Sequence, residues 1–302
     1  MKTFKLALDW TPNINHIGFF IADELGYYGG AGLKVELLNP QEDNYTTTPA
    51  KKVELGKADM SLCPFESILS YRTKSRTFDA VAIAAIFQED LSGIAVLAES
   101  ALKRPKDLDG KTYASYKARY EDEIVRQMVI NDGGRGELDL VYPEKLGIWA
   151  TLLSKKYDAT WIFRNWEGVQ AEDKDVPLRT FQLSDYGIPY GYSPVIMASK
   201  SAVDLEKEDY AVFLRTTRKG FLYARENPED AINILKPHVP ESDGDIDLLK
   251  SQKQSIPAYG TDENWGKMEK NRVHLFIEWL HQKGLETAPL VFEDLVYDGL
   301  LP

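Results

Sequence analysis

At 302 residues and 43% hydrophobic content, the chain can fill two lobes of ordinary domain size, each with its own core. Its 36 basic residues against 47 acidic ones leave a net charge of −11, which argues against nucleic acid or an anionic membrane surface as the main partner. Cys63 is the single cysteine, so an intrachain disulfide and a multi-thiolate metal site are both excluded.

The N-terminus runs from Met1 to Lys5 straight into a strand pattern, Phe4, Leu6 and Leu8 alternating, with no apolar stretch long enough for a signal peptide or a membrane span. The expected location is therefore periplasmic or extracellular if a signal peptide was removed, and cytoplasmic if the chain is native as written, with no direct membrane insertion in either case. Ile17, Phe20, Ile21 and Leu25 then take up helical spacing until Gly26. Between strand and helix lies Leu8-Asp9-Trp10-Thr11-Pro12-Asn13-Ile14-Asn15-His16, an aromatic plate among polar side chains. A loop leaving the carboxyl end of a strand is where open α/β sheets bind small molecules.

Leu33–Leu38 reads as the next strand, Thr48-Pro49 as the start of a helix ending near Gly56, and 58–62 as a short strand. The run 55–60 is echoed by 153–159: a helix end, a basic turn, then a strand begun near an aspartate. Each strand leads into a polar or aromatic loop, Cys63 to Ser67 in one case and Arg164 to Gly168 in the other, as two related lobes or a chance echo of shared turn chemistry would give. The alternation of strand and helix favours an α/β architecture with largely parallel sheets. Val81–Ile86 with Gly93–Leu97, and Phe181–Tyr192 with Val195–Ala198, are the expected crossings between lobes. This places residues 1–88 and 195–302 in lobe one and 89–194 in lobe two. From Lys200 the pattern is mostly helical: Tyr210–Arg225 is amphipathic, Pro228 opens a helix, and Val273, Phe276, Ile277 and Leu280 form a stripe that completes lobe one.

Four histidines lack the short spacings of zinc pairs, and no metal is expected. His16 either donates to a ligand from the opening loop or caps the helix that follows. No Gly-x-Ser-x-Gly, P-loop or Gly-x-Gly-x-x-Gly is present, and Cys63 has no histidine near it in sequence. Asn131–Gly136 is glycine-rich but reads as a turn. The segment 114–121 is another strand-to-helix loop, whose amides with Ser115, Lys117 and Arg119 either hold an anionic or polar group or belong to a solvated surface. Glu66 and Glu167 sit in corresponding loops and would accept hydrogen bonds from amino or ring N–H groups of a heterocycle.

The residues Leu8 to Asn13 with His16, Gly26-Tyr27-Tyr28 and Gly32 to Glu36 resemble the opening of the thiamine-pyrimidine family. That family joins periplasmic pyrimidine-precursor binding proteins and the fungal synthase of hydroxymethylpyrimidine phosphate. The likeness continues through 55–60, 108–112, 185–189 and 226–231 and so spans most of the chain. The resemblance implies a type II periplasmic-binding-protein fold, two α/β lobes joined by a two-strand hinge, with a ligand between them and Trp10 as the stacking aromatic. The synthase carries a lysine that holds pyridoxal phosphate, a histidine consumed as substrate and a cysteine-rich motif. At the matching positions this chain has Cys63 and Ser67, and its single cysteine excludes the motif. Gly191-Tyr192-Ser193-Pro194 stands where the binding-protein branch often has an acid, so the ligand is expected to depart from formylaminopyrimidine.

The resulting expectation is a cofactor-free, non-enzymatic solute-binding protein for a thiamine pyrimidine precursor or similar flat heterocycle, delivering it to an ABC transporter permease. The ligand set is Trp10, Asn13, His16, Glu66, Ser67, Ser115, Tyr116, Trp166, Glu167 and Tyr190. The alternative is an intracellular pyrimidine-biosynthesis enzyme related to the synthase, and a weaker one is a sulfonate or aromatic acid as ligand of the same fold.

Overall fold

The computed structural model describes residues 1–143 and 149–302 and divides them into two compact units, 1–90 with 192–273 and 288–302, and 91–191 with 274–287. In the first unit β1 (Lys2–Ala7), β2 (Leu33–Leu38), β3 (Met60–Cys63), β4 (Ala80–Ala85) and β10 (Val195–Ser199) form one sheet in the order β2-β1-β3-β10-β4. In the second, β5 (Ser92–Leu97), β6 (Thr112–Ala114), β7 (Asp139–Val141), β8 (Ala159–Phe163) and β9 (Leu178–Phe181) are ordered β7-β6-β8-β5-β9.

These are the same sheet twice. In each, the second strand of the sheet order lies between parallel neighbours, β1 between β2 and β3, β6 between β7 and β8. In each, one strand runs against both its neighbours: β10 between β3 and β4, β5 between β8 and β9. The reversed strand is the one that follows a passage of the chain from the other unit, at Asp90–Leu91 for β5 and Gly191–Tyr192 for β10. The sequence echo at 55–60 and 153–159 leads into β3 and β8, which hold the same place in their sheets. Largely parallel sheets were expected; the reversed strands are the refinement, set by chain connection rather than by side-chain period.

In the first unit α1 (Ile17–Glu24) follows β1, and Gly26 at φ 69° ends it as expected. The helix α2 (Pro49–Glu54) is capped by the Thr48 side chain, which accepts from the Lys51 amide. Further along come α3 (Phe65–Thr73), then α4 (Glu121–Asn131) in the second unit, and α5 (Lys207–Glu226) and α6 (Pro228–Leu235) back in the first. The last long helix, α7 (Lys270–Gln282), begins in the first unit, but 274–287 group with the second, a departure from the expected single C-terminal share of lobe one. The cause is side-chain chemistry: Phe276 packs edge-on against Tyr190 at 5.7 Å, and Glu286 binds Tyr120 and Arg119.

Aromatic residues supply much of the first core, where Phe213 stacks on Tyr28 at 5.8 Å and on Phe19 at 6.5 Å, and Tyr28 shares a 2.8 Å hydrogen bond with Thr217. The second core gathers Ala95, Leu152, Ile162 and Ala171. Among the described residues no helix is long and apolar enough to cross a membrane.

The helices α1 and α5 meet at glycines from both sides. A Cβ on Gly220 would lie 2.0 Å from the Gly18 carbonyl oxygen, and one on Gly18 would lie 2.2 Å from the Phe221 ring. Backbone cannot yield as a side-chain tip can, so the contact requires glycine. Gly220→Ala is expected to destabilise the protein by roughly 2 kcal/mol or more, seen as a lower urea midpoint at unchanged slope.

Candidate ligand site

The opening loop of the first unit leaves the carboxyl end of β1 and re-enters structure at the short 3-10 turn Ile14–His16 ahead of α1. Asn13 caps that turn: its Oδ1 accepts from the Asn15 amide at 2.8 Å and its Nδ2 donates to the Thr11 carbonyl at 3.0 Å. His16 is wholly buried. Its Nδ1 accepts from the Asn13 amide at 3.3 Å, so the ring proton resides on Nε2, which donates to Asp9 Oδ1 at 2.7 Å. His16 makes no side-chain cap on α1; it closes the capping box of the 3-10 turn with Asn13, and both ring nitrogens are engaged within the loop. The sequence had singled out the loop but passed over Asp9, whose side chain keeps 21% exposure with His16 as its hydrogen-bond partner.

Trp10 is half-buried between these residues, and its ring lies 5.5 Å from that of Tyr45, tilted by 49°. Tyr45 is a residue the sequence reading missed. Asn44 and Tyr45 both adopt positive φ, 52° and 59°, in the turn after β2, and Asn44 was the one available signal that the chain doubles back there. Thr11 Oγ1 is buried, with no hydrogen-bond partner among the described residues.

Beside β1, parallel β3 delivers Cys63 and then α3, which opens with Phe65 and the buried Glu66; Phe65 N donates to Tyr192 O at 2.9 Å. Burial, with Asp9 and Glu66 nearby, pushes the Cys63 thiol well above its ordinary range, against a hydrogen bond with Ser67 that lowers it. Cys63 is thus held as a thiol, unsuited to nucleophilic work. Asp9, Cys63, Glu66 and Ser67 therefore share one neighbourhood at the carboxyl edge of the first sheet.

The second unit presents the equivalent edge at β6 and β8. Here the expectation of amides open to an external anion is not met. The Glu121 carboxylate is buried and accepts from Tyr113 OH at 2.8 Å and from the amides of Tyr116 at 3.0 Å and Ala118 at 3.2 Å. Ser115 Oγ donates to Asp122 at 2.6 Å and accepts from the Lys117 amide at 2.9 Å, while Arg119 and the Tyr120 hydroxyl both donate to Glu286. Lys117 sits at φ 60°, which turns these amides inward. Tyr116 itself is 43% exposed. From β8, Trp166 is 2% exposed within the turn Arg164–Gly168, and Glu167 accepts from the Phe163 amide at 2.9 Å. Tyr190, also buried, packs 5.3 Å from Trp161, a second aromatic that the sequence reading did not select. Among the described residues, no three His, Cys, Asp or Glu side chains gather as a metal site.

Burial raises the Glu121 carboxyl above its ordinary value despite the three donors that favour its anion. The folded state then holds its proton more tightly than the unfolded chain, whose glutamate titrates near 4.5. Wild-type stability relative to Glu121→Gln should therefore be greatest below that value and decline as pH rises through the folded-state titration. Urea midpoints of both proteins from pH 4 to 8 check this, and a difference that stays flat would contradict it.

The paired sheets, each with one reversed strand, define the chain as a protein of α/β periplasmic-binding-protein fold. The alkanesulfonate-binding protein SsuA from Xanthomonas axonopodis pv. citri, solved bound to MOPS, matches it with a TM-score of 0.73 at 12% identity over 98% of each chain. A ligand-binding component of an ABC-type import system from Staphylococcus aureus matches with a TM-score of 0.69 at 17% identity, over 99% of this chain and 98% of that one. Residues 13–231 match the family described as NMT1/THI5 like, and the chain belongs to that family. The formylaminopyrimidine-binding protein of Halalkalibacterium halodurans is 26% identical, across 97% of this chain and 89% of its own length. The 4-amino-5-hydroxymethyl-2-methylpyrimidine phosphate synthase of Legionella pneumophila is 23% identical, across 90% and 86%.

Proposed function

We propose that this protein is a solute-binding protein for a thiamine pyrimidine precursor or a similar flat, amine-bearing heterocycle. The observation that carries the reading is the half-buried Trp10 ring on the carboxyl-edge loop of β1, with the buried Glu66 at the edge of neighbouring β3. Trp10 stacks on the ring, which adds about 0.5–1.5 kcal/mol beyond area burial, and Glu66 and Ser67 offer polar partners to ring substituents. In the second unit Tyr116 and Glu167 are the corresponding contributors, with Ser115, Trp166 and Tyr190 shaping their loops. Asn13 and His16 serve by holding the Trp10 loop. Family membership and the formylaminopyrimidine-binding relative support the ligand class. The protein works outside the cytoplasmic membrane and passes its ligand to an ABC importer; the import-system component among the solved structures of this fold supports that reading.

The synthase reading has a relative in its favour, the Legionella enzyme. Against it stand Cys63 and Ser67 at the positions matching the synthase lysine and histidine, with the Cys63 thiol held protonated. Calorimetric titration with 4-amino-5-hydroxymethyl-2-methylpyrimidine, formylaminopyrimidine and thiamine should give saturable binding of at least one. Trp10→Ala should weaken it about tenfold or more while leaving the fold intact by circular dichroism. Binding that survives Trp10→Ala unchanged would remove the ring platform from the account.

A further inference from the structure

Asp9 is an acceptor-only side chain with one oxygen engaged and, among the described residues, no partner for the other. Its engaged oxygen faces the Nε2–H of a wholly buried imidazole, whose tautomer is fixed by a backbone amide on the opposite nitrogen. That arrangement allows the carboxylate little freedom to rotate. The next residue along is the proposed ring platform, Trp10. The one after that, Thr11, is 3% exposed and carries a hydroxyl with no hydrogen-bond partner among the described residues. A buried hydroxyl without a partner is costly, and in a ligand-binding loop it signals a group that arrives from outside.

We propose that Asp9 is the specificity-determining residue of this loop, reading an N–H donor on the heterocycle, and that His16 is its positioning residue. The inference rests on the solute-binding reading above and deepens it. A carboxylate oxygen accepts from an exocyclic amine, and the Thr11 hydroxyl donates to an adjacent ring nitrogen. An aminopyrimidine presents that donor–acceptor pair along one edge, whereas its 4-oxo analogue turns a carbonyl toward Asp9 and a ring N–H toward Thr11. The carbonyl facing a carboxylate is repulsive and leaves both without a hydrogen atom to share, so the discrimination is by mismatch as well as by attraction.

The test is a pair of titrations, 4-amino-5-hydroxymethyl-2-methylpyrimidine against 5-hydroxymethyl-2-methylpyrimidin-4-one, on wild type, Asp9→Asn, His16→Phe and His16→Gln. Wild type should prefer the amine by about tenfold or more, as expected for a hydrogen bond to a charged group. Asp9→Asn should collapse that preference by losing affinity for the amine and gaining it for the ketone. His16→Phe fills the ring's volume without a donor and should narrow the amine-to-ketone ratio, whereas His16→Gln, which restores an N–H, should recover it in part. A role for His16 in stability alone would weaken both ligands together and leave the ratio unchanged, which would overturn the positioning role. An unchanged ratio in folded Asp9→Asn would overturn the inference while the solute-binding reading stands. Wild type that binds neither compound nor any other pyrimidine would overturn both. If the His16 variants fail to fold, Asp9→Asn and the wild-type ratio still decide the role of Asp9.

Discussion

A single buried imidazole sets the shape of the loop on which the first unit's proposed site is built. His16 has no contact with water, so each of its nitrogens must find a protein partner, and the partners it finds are the amide of Asn13 and the carboxylate of Asp9. Those two residues bracket Trp10. Closing the loop upon itself in this way holds the indole half-exposed at the sheet edge instead of letting it fold into the core, where an aromatic of that size would otherwise be drawn.

The two sheets share strand order and sense, yet their equivalent loops handle polar groups in different ways. In the first unit the loop after β1 turns an aromatic face and a carboxylate oxygen outward. In the second, the loop after β6 turns inward on Glu121, whose oxygens collect the amides that a sulfate or phosphate would otherwise meet. With those amides engaged by Glu121, this loop does not offer them to a bound anion. The sulfonate-binding neighbours share the fold with this chain, and the fold alone.

Much of the fold was legible in the sequence because each element announces itself locally. Period-2 alternation marked β1 and β2, Thr48-Pro49 marked the start of α2, and Gly26 marked the end of α1. The reversed strands β5 and β10 were not legible as such, because an apolar run buried on both faces looks alike in either direction. The C-terminal stripe through Phe276 was seen, but the unit it joins depends on contacts with Tyr190 and on Glu286, far away in sequence. At the site, the Trp10 loop and the Glu66 position stood out from residue types alone. The roles within the loop did not, since whether His16 faces a ligand or a neighbour is decided by the 3-10 turn that brings the Asn13 amide and Asp9 to its ring. Tyr45 and Glu121 escaped because positive backbone angles at a tyrosine and a lysine leave no compositional trace.

The glycine contact between α1 and α5 has a thermodynamic side. Where the two helices meet, Gly220 lies against the Gly18 carbonyl and the Phe221 ring fills the space over Gly18, so neither helix has room to slide over the other. The helix that carries the Trp10 loop is therefore immobilised when the first unit folds. On the proposed reading, chain entropy that a mobile loop would lose upon meeting a ligand has already been lost, so the ligand would encounter a preformed surface and a larger share of the contact energy would appear as affinity.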